Sequence, residues 1–164
     1  LRAAEGAKLM AEDVLIEWTK GDPGPGRSAD VTVFADGRVR LSPRLGGGEH
    51  RLAPEELQAV RRFVVDEQQL QAIEGAALKR EVEVAAAARS RDLASPGAAF
   101  VTVPQMDAGT TVIRANVAGL PHEITYFDLV GDAQSYPEVA PLQRLRRIEL
   151  KMIELAEALA ARTP

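Results

Sequence analysis

The segment that most constrains the fold is residues 31–41, where Asp36-Gly37 lies between two runs of alternating apolar residues. This pattern is typical of a β-hairpin. A two-residue turn at Asp36-Gly37 would mix arginines with valines on one face. A three-residue loop with Gly37 left-handed in a bulge keeps the apolar side chains together. We therefore predict the bulged register, which puts on one face Val31, Val33, Val39 and Leu41.

A second hairpin is predicted over residues 111–129, turning at Ala118-Gly119. Here a two-residue turn gives the better pairing, because apolar residues meet on one face and opposite charges meet on the other. The predicted pairs are Ile113 with Ile124 and Val117 with Leu120 on the core face, and Arg114 with Glu123 on the other face.

Two further segments read as strands. Val14, Ile16 and Trp18 alternate with other residues at the period of a strand that has one face against a core, so we expect Trp18 to be buried. The run of Phe100, Val101 and Val103 indicates another strand.

Three helices are predicted from apolar residues at helical spacing. The first begins at Pro54, which suits the first helical position, and Gly75 separates it from the second. The second begins near Ala76 and ends before Ser95. The third covers about 137–161, and its proline at position 141 fits only near the first turn.

The order of elements is strand, hairpin, two helices, strand, hairpin, helix, without the regular βαβ alternation of a parallel sheet. We therefore predict an α+β fold with an antiparallel sheet of five or six strands. Two hairpins and flanking strands build the sheet, and the three helices pack on one face. A chain of 164 residues is the size of one domain, so residues 1–164 are expected to form a single domain.

The bulk composition argues against several partners. A net charge of −4 provides no positive field for nucleic acid or anionic lipid. No apolar stretch approaches the roughly 20 residues that span a bilayer. The chain has no cysteine, so it has no thiol nucleophile and no thiolate metal site. We predict no nucleic acid partner, no membrane span and no cofactor.

No residue pattern points to catalysis or to a metal. The two histidines, His50 and His122, lack the spacing that would place metal ligands on one helical face. His122 and Glu123 are neighbours in a strand and point to opposite faces. No serine lies in a Gly-x-Ser-x-Gly turn. We therefore predict no catalytic residues and no metal site.

Strand alternation yields the candidate binding site. The loops at 21–29 and 43–51 should leave the same end of the sheet and share a rim. Long loops on a rigid scaffold are preferred binding positions. The predicted binding residues are Arg27, Arg44, Glu49, His50 and Arg51.

Four short stretches resemble uncharacterised bacterial α+β proteins. They are residues 31–41 with the Ala-Asp-Gly turn, 52–57 (Leu-Ala-Pro-Glu-Glu-Leu), 64–68 (Val-Val-Asp-Glu-Gln) and 136–139 (Tyr-Pro-Glu-Val). The resemblance implies no activity, and no functional residue is carried over from it.

These observations favour a non-catalytic binding or protein-interaction module whose partner is a protein or a small molecule. The alternative is a hydrolase-like enzyme of unknown class that uses a histidine and a carboxylate. A homo-oligomer could form through an edge strand or an apolar strip of the last helix. The chain begins at Leu1, which favours an exported or periplasmic protein over a cytoplasmic one.

Overall fold

The computed structural model describes residues 14–21, 26–93 and 109–162. Six strands form one antiparallel sheet in the order β4-β3-β2-β1-β5-β6. This confirms the predicted α+β class and antiparallel sheet. The strands are β1 (Val14–Lys20), β2 (Val31–Phe34), β3 (Arg38–Leu41), β4 (Glu49–Arg51), β5 (Thr110–Val117) and β6 (Leu120–Phe127).

The first hairpin has the predicted bulged register. Val31 pairs with Leu41 and Val33 with Val39, and all four side chains are buried. Gly37 is left-handed, with φ of 93°, and its N–H donates to the carbonyl of the last β2 residue at 3.0 Å. The alternating pattern therefore determined which face of both strands enters the core.

The second hairpin also has the predicted register, including Ile113 with Ile124 and Arg114 with Glu123. Its turn, Ala118-Gly119, has two positive φ angles of 52° and 78°, as a type I′ turn requires. One part of the prediction is wrong, because Leu120 is 72% exposed rather than in the core. The turn and the two residues after it are all exposed, so the hairpin tip extends past the core.

The sixth strand is not where the sequence predicted it. Residues 43–51 were expected to be a loop, but they form a 3-10 turn, Pro43–Leu45, and then β4. Glu-His-Arg has no apolar alternation, and pairing with β3 holds it as a strand. The strand predicted at Phe100, Val101 and Val103 lies outside the described residues.

Four α-helices are present in the described ranges, one more than predicted. The predicted start at Pro54 and the break at Gly75 are confirmed. The additional short helix has Asp128 as its N-cap and only seven residues, too few to show a periodic apolar stripe. The helices are α1 (Pro54–Arg61), which continues as a π-helix over Arg62–Glu67, α2 (Gly75–Leu93), α3 (Leu129–Ser135) and α4 (Ala140–Ala161).

The core lies between one face of the sheet and the helices. One row of directly paired residues crosses five strands, and every member is at most 3% exposed: Leu41, Val31, Trp18, Ile113 and Ile124. The apolar stripe of α4 joins the same core. Burial of Trp18 is confirmed. We call this side of the sheet the core face and the other side the open face.

Candidate functional site

The two loops that were predicted at one end of the sheet do meet there. Arg27 and Arg44, one from each loop, both donate through Nη2 to the backbone oxygen of Lys20, each at 2.8 Å. Because the two Nη2 atoms share this acceptor, the distance between them is at most the sum of the two hydrogen-bond lengths. Lys20 is the last residue of β1, so this meeting point is the rim of the sheet.

The buried carboxylate of Asp30 holds these arginines in place. Its Oδ1 accepts hydrogen bonds from Arg44 Nε at 2.7 Å and from Ser42 Oγ at 2.9 Å. Its Oδ2 accepts from the backbone N–H of Lys20 at 2.8 Å and from Arg44 Nη2, and it lies 3.7 Å from Arg27 Nη2. One carboxylate therefore orders both rim loops.

Asp30 stays ionised at neutral pH. Burial by itself raises the pKa of Asp30, but hydrogen bonds from Arg44, from the Lys20 N–H and from Ser42 outweigh it and hold the pKa below its usual value. Arg44 uses Nε and Nη2 in these bonds, while 47% of its side chain is exposed. Its Nη1 has no hydrogen-bond partner among the described residues.

The other three predicted site residues lie on β4 and do not join this rim cluster. Glu49 is exposed on the open face, opposite Arg40. His50 is on the core face, half-buried, with Nε2 3.1 Å from the carbonyl oxygen of Gly47. Arg51 donates to the carbonyl of Asp36, in the hairpin turn at the other end of the sheet. β4 begins at the rim with Glu49 and runs away from it, so His50 and Arg51 lie farther from the rim than the sequence placed them. A binding role for the three residues stays a prediction.

The structure adds two arginines that the sequence analysis did not single out. Arg38 and Arg40 lie on the open face of β3, with their guanidinium carbons 4.5 and 5.3 Å from the centroid of the Phe34 ring. Phe34 is only 8% exposed. The bulged register contained this signal, because a strand that buries Val39 must turn both arginines to the opposite face.

Five arginines thus line one side of the sheet, along β3, β4 and the adjoining rim. We call them the arginine strip: Arg27, Arg38, Arg40, Arg44 and Arg51. Residues 27–51 hold these five arginines and only three acidic residues, while the whole chain has a net charge of −4. The strip is therefore a local positive region on an acidic protein.

Two members of the strip face each other directly. Arg38 pairs with Arg51 across β3 and β4, and like charges at such positions are destabilising. The carboxylate of Asp36 accepts from the backbone N–H of Arg38 at 3.0 Å and from Arg38 Nε at 2.7 Å. These bonds, and the positive charge of Arg51, lower the pKa of Asp36. Asp36 thus lies beside both guanidinium groups, and further negative charge would be favourable here.

A row of polar residues, five of them charged, crosses the open face through the middle of the strip. It extends over all six strands and is, in order, Glu49, Arg40, Thr32, Glu17, Arg114 and Glu123. Burial raises the pKa of Glu17, and Arg114 and Arg40 oppose that rise only in part. Arg40 itself is exposed and forms no ion pair within the described ranges. It is the member of the strip with most freedom to bind an anion.

The two histidines are far apart and share no site. They occupy the two ends of a single core-face row that crosses the whole sheet. Five strand spacings separate them, or about 24 Å. His122 Nε2 lies 2.7 Å from the carbonyl oxygen of Ile73, so each histidine contacts a backbone carbonyl through Nε2.

A second buried carboxylate, Glu149 of α4, lies under the rim. Its side chain is completely buried, and its Oε2 accepts from Arg146 Nη1, three residues earlier on the same helix, at 2.6 Å. Its Oε1 also accepts from Lys20 Nζ at 3.0 Å and from Thr111 Oγ1 at 2.7 Å. These donors satisfy both oxygens, so the group is structural.

The remaining surface offers less specific features. An open groove of about 610 Å³ lies between α2 and residues 138–139, lined by three alanines, two valines and three charged residues. In the part of the chain that the structure describes, no group of three or more His, Cys, Asp or Glu side chains could hold a metal ion. No described helix is long and apolar enough to cross a membrane.

No protein-family model matches this chain, and no curated protein or solved structure is similar to it at a significant level. The resemblance to uncharacterised bacterial α+β proteins stays a prediction. Function therefore has to be inferred from the arginine strip and its surroundings.

Proposed function

We propose that this domain is a non-catalytic binding module whose arginine strip binds an acidic segment of another protein. The observation that carries the proposal is the clustering of five arginines on one side of a chain with a net charge of −4. A positive region on an acidic protein attracts acidic partners, while the negative charge of the rest of the chain disfavours their binding elsewhere.

The chemistry of the strip suits carboxylates. A guanidinium group is planar, permanently charged and able to bind a carboxylate through two parallel hydrogen bonds. Arg40 has no ion pair among the described residues, and Arg44 has an available Nη1. Asp30 and the Phe34 ring hold the neighbouring guanidinium groups in fixed positions, which lowers the entropy lost on binding.

The predicted alternative, a hydrolase-like enzyme with a histidine and a carboxylate, has less support. Each histidine contacts a backbone carbonyl. The glutamate next to each histidine in the sequence, Glu49 or Glu123, lies on the opposite face of the strand and cannot act with it. A general base needs a partner that orients it towards the reacting proton, and no such pair is visible in the described residues. We therefore favour binding over catalysis.

The test uses a fluorescently labelled octaglutamate peptide and measures its binding by polarisation at low and at high salt. Arg40→Gln removes one exposed charge and should weaken binding about threefold, while Arg40→Glu reverses the charge and should weaken it about tenfold. Binding to the native chain should fall as salt rises. The matched control is Arg147→Glu, an exposed position on α4 far from the open face.

The control should leave peptide affinity within about twofold of the native value, since a distant charge is largely screened. Two outcomes would overturn the proposal. One is an octaglutamate peptide that does not bind even at low salt. The other is an Arg147→Glu variant that weakens binding as much as Arg40→Glu, which would indicate a general effect of net charge.

A further inference from the structure

The outer edge of β4 carries backbone groups that no described strand pairs. Gly48 and Leu52, on either side of β4, bond inward to β3 and its turn, at 3.1 and 2.9 Å. Hydrogen-bonded pairs alternate along an antiparallel ladder, so His50 also bonds inward. The N–H and C=O groups of Glu49 and Arg51 therefore point away from the sheet, and both residues are exposed.

At the opposite edge of the sheet, the start of α2 lies beside β6. The His122 ring contacts the carbonyl of Ile73, at 2.7 Å, and the backbone oxygen of Thr125 lies 3.7 Å from the position that a Cβ on Gly75 would take. On β4, the outward backbone groups belong to exposed residues, and no described strand pairs with them. β4 therefore offers an edge to another strand.

The sequence of β4, Glu49-His50-Arg51, is complementary in charge to itself. If two copies of β4 lie antiparallel around a two-fold axis at His50, Glu49 of each copy stands directly opposite Arg51 of the other. Both side chains lie on the open face, where opposite charges at such positions are favourable. The same two residues carry the outward backbone groups, so the two pairs would form four backbone hydrogen bonds.

We propose that β4 pairs antiparallel with β4 of a second copy of this chain, around a two-fold axis through His50, and so joins two six-stranded sheets into one. This inference does not rest on the acidic partner of the arginine strip, although Arg51 belongs to both surfaces. Such an interface is self-complementary, as two-fold symmetry requires.

The pairing would also relieve an unfavourable contact within each chain. Arg38 and Arg51 face each other across β3 and β4, next to the carboxylate of Asp36. In the dimer, Glu49 of the second copy lies on the outer side of Arg51 and adds negative charge there. The short edge restricts the contact to a few residues, so the dimer is expected to be weak and to depend on concentration.

The experiment compares the native chain with two charge variants by sedimentation equilibrium, from about 10 µM to about 1 mM, a range that brackets weak dissociation constants. The native chain should move from monomer to dimer across this range. Glu49→Arg places arginines opposite arginines, and Arg51→Glu places glutamates opposite glutamates. Each variant alone should remain monomeric.

An equimolar mixture of the two variants restores complementarity, because one chain then has arginine at both positions and the other has glutamate. The mixture should associate at least as tightly as the native chain, and this rescue also shows that both variants fold. The double variant Glu49→Arg/Arg51→Glu should recover a homodimer.

Three outcomes would overturn the proposal: a native chain that stays monomeric at the highest concentration, single variants that dimerise like the native chain, and folded variants that do not associate when mixed. The native fluorescence of Trp18 checks folding in each case. Because Arg40 lies on β3, outside the paired edge, failure here leaves the octaglutamate test unaffected.

Discussion

Glu149, on α4, accepts a hydrogen bond at 2.7 Å from the hydroxyl of Thr111, on β5, in a completely buried position. The same oxygen lies 3.4 Å from the indole nitrogen of Trp18. Lys20 and Arg146 supply positive charge at 3.0 and 2.6 Å. This contact fixes α4 against the sheet just below the rim that carries Arg44.

Replacing Glu149 with glutamine should destabilise the fold strongly. The change leaves Lys20 and Arg146 near a neutral group, and removal of one partner from a buried pair costs about 3 to 5 kcal/mol. Both cations keep about a fifth of their side chains exposed, so we expect about 2 to 3 kcal/mol. Urea unfolding followed by Trp18 fluorescence measures the loss. Glu154→Gln, on the exposed side of the same helix, should change stability by less than about 0.5 kcal/mol.

The stability of the native chain should fall on acidification below about pH 4.5. Burial raises the pKa values of Glu149 and Asp30, but their hydrogen bonds outweigh it and hold both below the ordinary values of 4.5 and 3.8. The folded state then binds fewer protons than the unfolded state, so this stabilisation is complete above the ordinary values and is lost as pH falls through the folded ones. Urea midpoints between about pH 7 and pH 3 test this, and a rise in stability on acidification would contradict it.

Glu17→Gln should raise the folding stability of the chain at neutral pH, in contrast to Glu149→Gln. Burial raises the pKa of Glu17, and Arg114 and Arg40 only partly compensate, so the charged form is disfavoured in the folded state. Glutamine removes that charge, and the gain, below about 1 kcal/mol, should disappear below about pH 4.5, where the native acid is protonated. Urea midpoints at neutral and acidic pH measure the gain. Glu123→Gln, exposed on the same row, should give no gain at neutral pH.

Gly37→Ala should cost more stability than Gly119→Ala. Both glycines are left-handed, with φ of 93° and 78°, which costs a non-glycine residue about 1 kcal/mol or more. At Gly37 a new Cβ would also lie 3.2 Å from the carbonyl oxygen of Leu52, while at Gly119 nothing lies within 4 Å. Thermal unfolding of the two variants gives the comparison. Equal losses would mean that the backbone angle alone decides the cost.

The parts of the fold that depend on local rules were predictable. Both hairpin registers follow from alternating apolar residues and from turns that contain glycine, and the start of α1 follows from Pro54. The predicted meeting of Arg27 and Arg44 needed only the alternation of strand directions. In each of these cases the information lies within one short stretch of consecutive elements.

The parts that depend on distant contacts were not predictable. β4 is a strand because β3 pairs with it, although Glu-His-Arg has little strand propensity of its own. That pairing carried His50 and Arg51 away from the rim where the sequence placed them. Leu120 looked like a core residue, but the tip of its hairpin extends past the core and remains exposed.

The sequence by itself determined which face of each predicted strand enters the core, with Leu120 at a hairpin tip as an exception, because strand periodicity is local and hydrophobic burial acts on it directly. It also determined that Arg38 and Arg40 share one face of β3. Only the tertiary structure decided that five arginines line one side of the sheet and that Glu149 is buried with its own set of donors. A buried charge is stabilised only by the donors and opposite charges that lie next to it in space, and these come from segments that are distant in the sequence.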